Sequence, residues 1–326
     1  MLEKFSFCIL AFNHEDYIKE HLNSILFQVV NYGQNIEIDL IITDDFSSDK
    51  TVDLIDDFIN INSSYFSSIS FTKNKSNKGT AKCVLIIESY LKTNAFKITA
   101  GDDVYGPHNI FEFYRSNYDG NLLSGYPIRL INGKLKFNQF ELFNFIASDV
   151  IYKNSKLVDR LSSFSLANAP NCFYPRFLLA DSYVKKKLEK FDVIDDASLQ
   201  FAGAIRFPEI KLKTFYKPIV FYRRTDNSAY LIAPHRFKKD QLRLIDLMLC
   251  YYKSNGNLYS IIKLYKRKWL FNIKNKYIRW VFSIDGYRYS WNIIINIIPI
   301  LNVYKKLSND VSNYQSYYEK DIKISK

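Results

Sequence analysis

Residues 36–51 read IEIDLIITDDFSSDKT. The apolar run Ile36–Thr43 has the look of a strand buried on both faces. It breaks at Asp44-Asp45, after which Ser47 or Ser48 can cap a helix with Val52, Ile55, Phe58 and Ile59 on its apolar face. The local unit is therefore strand, acidic turn, helix. A similar unit precedes it. Lys4–Phe12 is an apolar run, Asn13 offers a helix cap with Asp16 three residues on, and Ile18, Leu22, Ile25, Leu26 and Val29 recur at helical spacing. On the other side, Ile69–Thr72 reads as a short third strand, a helix is expected from about Thr80 to Leu91, and Phe96–Ala100 is a fourth strand. Such alternation specifies βαβ units, a mostly parallel sheet and helices on both faces: an α/β, Rossmann-like fold.

In an open parallel sheet, ligands bind beyond the carboxyl ends of the strands. Three polar clusters fall there: Ala11-Phe12-Asn13, Thr43-Asp44-Asp45 and Gly101-Asp102-Asp103. Four carboxylates at one edge repel one another unless a cation or donors compensate them. A divalent ion, Mn²⁺ or Mg²⁺, together with a nucleotide diphosphate would do so, because these ions combine one or two carboxylates with substrate phosphates. The plainer account of each pair is a turn preceding a helix, but that account leaves their common placement at one edge unexplained.

The stretches FSFCILAFNHEDYIKEHLNSILFQ (5–28), IEIDLIITDDFSSDKT (36–51) and NKGTAKCVLIIESYLKTNAFKITAGDDVY (77–105) together resemble the nucleotide-binding half of a family-2 glycosyltransferase of the GT-A fold. Further on, Asp195-Asp196-Ala197-Ser198-Leu199 and Tyr222-Arg223-Arg224-Thr225 are similar to that family's later acidic and Tyr-Arg motifs, so the resemblance covers roughly residues 4–230. It implies that Ala11, Phe12 and Asn13 line the nucleotide, that Asp44 and Asp45 contact base and ribose, and that Asn77 and Gly79 border the donor. It implies that Asp102 and Asp103 hold the metal on the diphosphate, that Arg223 and Arg224 serve the donor, and that Asp196, or Asp195, is the catalytic base of an inverting transfer. Three positions depart from the family's habit. Ala100 stands where an acidic residue is common, Thr225 where a His is common, and Cys83-Val84-Leu85 follows the Gly79 loop. By the same resemblance the donor is a UDP-sugar, the acceptor a glycan or lipid-linked sugar, and the product a bacterial surface polysaccharide, capsule or lipopolysaccharide.

Between residues 101 and 233 the pattern is mixed. Leu122–Leu130 and Leu135–Phe140 suggest a hairpin around Asn132-Gly133, Phe173–Lys190 and Asp195–Ala204 read as helices, and Lys217–Tyr222 as a strand. Beyond Ala233 the chain is expected to be helical, over Phe237–Tyr252 and Ile261–Trp280 for example. Charge divides the chain at the same place. Residues 235–326 hold 18 Lys/Arg against 6 Asp/Glu, a surplus equal to the whole net charge of +12, whereas the first 234 residues hold 27 of each. The expected organisation is a catalytic domain at 1–233, divided into a nucleotide-binding half (1–105) and an acceptor half (106–233), followed by a basic helical region at 234–326 with an anionic partner.

Other classes fit less well. A nucleotidyltransferase would want a Gly-rich basic loop after the first strand, where this chain has Phe12-Asn13-His14-Glu15, and a dehydrogenase would want G-x-G-x-x-G. Nucleic-acid binding is permitted by the charge but lacks a motif. A non-catalytic subunit of a polysaccharide assembly complex draws support from Ala100 and Thr225. Cys8, Cys83, Cys172 and Cys250 are scattered without metal spacing and suit a reducing cytosol. The histidines His14, His21, His108 and His235 show no relay spacing. The start of the chain runs directly into a strand without a leader, and the apolar tract Trp291–Val303 is too short to span a bilayer. A cytoplasmic enzyme, with peripheral contact to the membrane's inner face through 235–326, is the expectation.

Overall fold

A computed structural model describes residues 3–126, 128–163, 169–224, 233–307 and 312–323. The N-terminal part is β1 (Lys4–Ala11), α1 (Ile18–Tyr32), β2 (Glu37–Asp44), α2 (Thr51–Asn62), β3 (Ser68–Lys73), α3 (Thr80–Tyr90) and β4 (Phe96–Ala100). These strands form one parallel sheet in the order β3-β2-β1-β4, with Ala11 opposite Asp44 and Leu10 opposite Ala100. The strands are continuous apolar runs because the sheet is covered on both sides. Phe5, Phe7, Ile9 and Ala11 of β1 point into a core shared with α1, while Cys8 points into the core beneath α3. Phe7 is fully buried and meets Tyr105 edge-on at 5.3 Å. Replacing such a ring with Ala costs about 3–5 kcal/mol.

The middle of the chain comprises β5 (Val104–Tyr105), α4 (Ile110–Asn117), β6 (Leu122–Gly125), β7 (Ile128–Ile131), β8 (Lys134–Lys136), α5 (Gln139–Tyr152), α6 (Leu157–Leu161), β9 (Cys172–Phe173), α7 (Arg176–Ala180), α8 (Ser182–Leu188), α9 (Asp196–Arg206), β10 (Leu212–Phe215) and β11 (Val220–Arg223). Two small sheets result, β10-β6-β9 and β5-β11-β7-β8. The hairpin at Asn132-Gly133 forms between β7 and β8, both turn residues having positive φ as a tight hairpin requires. The expected helix over Phe173–Lys190 is instead a strand end and two helices. Cys172–Phe173 pairs with β6, Pro175 stands immediately before α7, and the Asp181 side chain accepts from the Val184 N–H to start α8.

The C-terminal part is α10 (Pro234–Ser254), α11 (Leu258–Leu270), α12 (Lys276–Val281), α13 (Ile284–Ile295), α14 (Ile297–Leu307), α15 (Ser312–Tyr317) and one π turn (Tyr318–Ile322). The helix expected over Ile261–Trp280 is thus two. The charge boundary coincides with the start of α10, yet the core does not stop there. Ile245, Met248 and Leu249 of α10 and Leu264 of α11 belong to the same buried cluster as α3 and α9. Tyr317 and Tyr318 reach back to the first helix and its neighbours, where Tyr317 Oη donates to the Tyr105 carbonyl at 3.1 Å and Tyr318 Oη to Glu20 at 2.9 Å.

Candidate active site

The loops after β1 and β2 are stitched together. Ala11 accepts from the Asp45 N–H (2.8 Å), the Asn13 N–H donates to Ser47 Oγ (2.9 Å), and Asn13 Oδ1 accepts from the Ser48 N–H (2.8 Å). The His14 N–H donates to Thr51 Oγ1 at 2.7 Å. Asn13 therefore caps no helix. It holds φ +53°, which Asn tolerates better than most residues, and α1 begins only at Ile18. Ser47 and Ser48 cap nothing either, since α2 begins at Thr51. Both local expectations fail for one reason: the side-chain oxygens are used between loops some 35 residues apart in sequence. Phe46 lies in this stitched loop with φ +70° and its ring half exposed. A bulky residue in that region is strained, a cost typical of functional loops.

The four carboxylates reach one edge, but three are already compensated. Asp44 accepts from both the N–H and the hydroxyl of Ser47. Asp45 accepts from the N–H groups of Lys78 (2.7 Å) and Gly79 (2.8 Å) and from the Asn74 amide (3.1 Å). Asp103 is 1% exposed and accepts from the Arg223 N–H at 3.1 Å. Burial, and then the charge of Asp102, hold the Asp103 carboxyl well above the ordinary range. Asp102 differs. Its carboxylate makes no hydrogen bond among the described residues and lies 4.0 Å from His14 Nε2, while His14 Nδ1 is buried without a partner. The two neighbours thus differ in their contacts: the Asp103 carboxylate is bonded to the Arg223 N–H, whereas that of Asp102 has no hydrogen-bond partner among the described residues.

Arg223 is bonded into the same framework. It is buried, its Nε donates to the Asp102 carbonyl at 2.6 Å, its guanidinium pairs with Glu20 and lies 4.9 Å over the Tyr17 ring. Arg224 is exposed, with its N–H bonded to the Leu130 carbonyl at 3.0 Å. Thr225 lies outside the described residues. Beneath the acidic turn, His21 is fully buried against the Asp103 carbonyl (2.8 Å), and burial lowers it to about 3, so it is neutral. Lys97 is fully buried as well, donating to the Ile98 carbonyl at 2.7 Å, and burial lowers it to about 8.

Asn77 and Gly79 lie beside Asp45. Gly79 has φ +87°, and any side chain there would run into Asp192, so the glycine is required twice over. Asn77 is gripped by Arg236 (2.9 Å), which also forms a two-pronged ion pair with Asp192, each contact at 2.6 Å. Three residues further, Asp195 and Asp196 sit at the head of α9. Burial and the charge of Asp196 push Asp195 up to about 7, and burial raises Asp196 as well. Asp196 Oδ1 accepts from the Ala197 N–H at 2.7 Å. What positions this pair comes from α10. One oxygen of Asp240, a fully buried side chain, accepts from three successive N–H groups: Asp192 (2.7 Å), Val193 (2.7 Å) and Ile194 (3.2 Å). Asp240 and Arg236 escaped sequence reading, their one signal being an acid inside the basic stretch Phe237-Lys238-Lys239-Asp240. His14 was passed over as well, although it directly follows Phe12-Asn13.

Among the described residues, no three acidic, histidine or cysteine side chains cluster as a closed cation cage. A carboxylate without a hydrogen-bond partner among the described residues, with a neighbouring imidazole, fits the other arrangement, in which a divalent ion takes one protein carboxylate and completes its shell with phosphates and water. Residues 6–164 match the family model described as glycosyl transferase family 2. Similar solved structures include S. aureus TarS, 15% identical with TM-score 0.55 over 97% of this chain and 55% of that one. The chain thus spans about half the length of full TarS. It covers 90% of the TarS 1–349 fragment in complex with UDP-GlcNAc, at 15% identity, 97% of this chain and TM-score 0.57. The mannosyltransferase PcManGT from Pyrobaculum calidifontis, in complex with GDP-Man and Mn²⁺, matches at 10% identity and TM-score 0.54 over 97% of this chain and 83% of that one. Comparison with curated protein sequences gives no match.

Proposed function

We infer that this chain, a glycosyltransferase of the GT-A fold with a family-2 domain over residues 6–164, moves a sugar with inversion from a UDP-sugar to a glycan or lipid-linked acceptor in bacterial surface-polysaccharide synthesis. The observation that carries the reading is the contrast at the sheet edge. Three acids are bonded into the rim, the Asp102 carboxylate has no hydrogen-bond partner among the described residues, and a further acidic pair of raised pKa heads α9. In this proposal the nucleotide lies along Ala11, Phe12 and Asn13, beside Asp44. Asp45 acts by clamping the Asn77–Gly79 loop rather than by touching the ribose. Asp102, with His14 beside it, holds the divalent ion, Mn²⁺ or Mg²⁺, which supplies charge neutralisation for the departing diphosphate.

The acceptor hydroxyl attacks the anomeric carbon from the face opposite the leaving group. Its oxygen forms the new C–O bond, the bond to the diphosphate oxygen breaks with its electron pair leaving on the nucleoside diphosphate, and the hydroxyl proton passes to Asp196. Asp195 beside it titrates with Asp196 as a unit. One base suffices because the transfer is a single displacement. Residues 1–233 are proposed as the catalytic domain, working at the cytoplasmic side of the membrane, and 234–326 as its basic helical region. The test is incubation with a panel of nucleotide sugars and Mn²⁺ or Mg²⁺, reading nucleotide release and the anomeric configuration of the product. A retained configuration would sink the single-displacement assignment. Donor binding without transfer or hydrolysis would favour a non-catalytic subunit, the reading that Ala100 supports.

A further inference from the structure

The helices between Leu258 and Leu307 carry apolar side chains outward as well as inward. On α11, Lys263 and Leu264 face the body of the protein, and Lys263 and Arg267 are anchored to Asp285 at the start of α13. The opposite stripe, Leu258, Ile262, Tyr265 and Trp269, is exposed at the spacing of one helix face, with Trp269 at 59%. The pattern recurs on α13 and α14. Tyr289 and Ile293 pack against the core around α5, and Ile300 is fully buried. Tyr287, Trp291, Ile294, Ile295 and Ile298 stand in solvent, Trp291 at 63% and Ile298 at 71%. Helices α11 and α13 approach one another at Arg288, whose guanidinium lies 5.7 Å from the ring centre of Tyr259, itself exposed.

An outward apolar face of this extent is costly in water unless something covers it. Its composition indicates what. Residues 258–306 hold ten Lys/Arg and one Asp/Glu, and all three tryptophans of the chain lie among them. Trp and Tyr on an apolar face flanked by Lys and Arg suit the boundary between headgroups and acyl chains. No described helix is long and apolar enough to cross a membrane. A second copy of the chain would bring one strongly positive face against another, whereas anionic headgroups complement it.

We propose that the face formed by α11, α13 and α14 docks on a bilayer surface bearing anionic lipid. Trp269 and Trp291 enter the acyl boundary, and Lys266, Lys274 and Arg279 meet headgroup phosphates. The proposal needs neither a particular donor nor an acceptor. The full chain is mixed with vesicles of phosphatidylcholine alone and of phosphatidylcholine with phosphatidylglycerol, and binding is read by co-sedimentation and tryptophan emission. Binding to the anionic vesicles with blue-shifted emission, weakened by salt, is expected. Replacing Trp269 and Trp291 together by Ser should weaken partitioning by about tenfold or more while the thermal unfolding midpoint holds. No binding to anionic vesicles at low salt, equal binding to both vesicle types, or unchanged binding by the double variant would each overturn the proposal. So would a concentration-dependent dimer that the double variant dissolves.

Discussion

The rim of the parallel sheet and the helical face beyond Leu258 handle incompatible chemistry in opposite ways. At the rim, carboxylates that would repel one another are satisfied one by one from inside the molecule: Asp44 by Ser47, Asp45 by the 74–79 loop, Asp103 by Arg223. The distal face leaves about half or more of each apolar side chain of its stripes in solvent. Internal saturation marks a site organised before its ligand arrives, since each bond already made is one that binding need not order. External deficit marks a surface whose partner lies outside the chain. The Asp102 carboxylate, without a hydrogen-bond partner among the described residues, stands out because Asp44, Asp45 and Asp103 beside it are each bonded.

The sharpest way to break this comparison is to exchange the two neighbours in the acidic turn. Asp102→Ala should lower kcat/KM by about 10³-fold with little loss of stability. Asp103→Asn should keep turnover within about tenfold and lower the unfolding free energy by about 1–3 kcal/mol. Steady-state kinetics and denaturant melts on both variants check this, and the reverse pattern would return the ligand role to Asp103. Next comes the pair at α9. Asp196→Asn should leave donor affinity intact and cut kcat by about 10²-fold or more. Burial raises Asp196 above its ordinary value, and burial with the charge of Asp196 pushes Asp195 up to about 7, so Asp196 gives up its proton first. The wild-type rate should therefore fall on the acid side as Asp196 takes up a proton, and a rate that follows only a group titrating near 7 would move the base to Asp195.

Smaller effects probe the scaffold itself. Asp240→Ala strands three backbone N–H groups and should cost about 3 kcal/mol. Its kcat should fall further than its donor affinity, because it is the segment entering the catalytic pair that loosens. At the low end, Phe46→Gly should raise stability by about 1 kcal/mol by relieving the positive φ, read as a higher unfolding midpoint.

Most of the sheet was legible in the sequence because three of its four strands are buried on both faces, so that Lys4–Ala11, Glu37–Asp44 and Phe96–Ala100 stand out as largely apolar runs, whereas the edge strand Ser68–Lys73 is only partly buried. The placing of acids at strand ends was legible for the same reason. The allotment of those acids was not. Whether an aspartate faces a ligand or a backbone N–H depends on partners such as Arg223, 120 residues from Asp103, and no local pattern encodes that pairing. Asn13 and Ser47 misled in the same way, since their oxygens suit a cap but are claimed by each other's loop. The basic C-terminal stretch was readable as charge, yet its outward apolar stripe needed the structure, because a helix with two apolar faces has the same composition as one with a buried face.

The bond from Tyr318 to Glu20 joins residues 298 positions apart, and Glu20 is also the partner of Arg223 beneath the acidic turn. During synthesis the sheet, made of nearby segments, has everything it needs early. The acidic turn must wait for Arg223, the approach to α9 for Asp240, and the support of Glu20 for Tyr318. Shape therefore precedes competence in this chain: a ribosome that has finished the sheet has not yet finished the site.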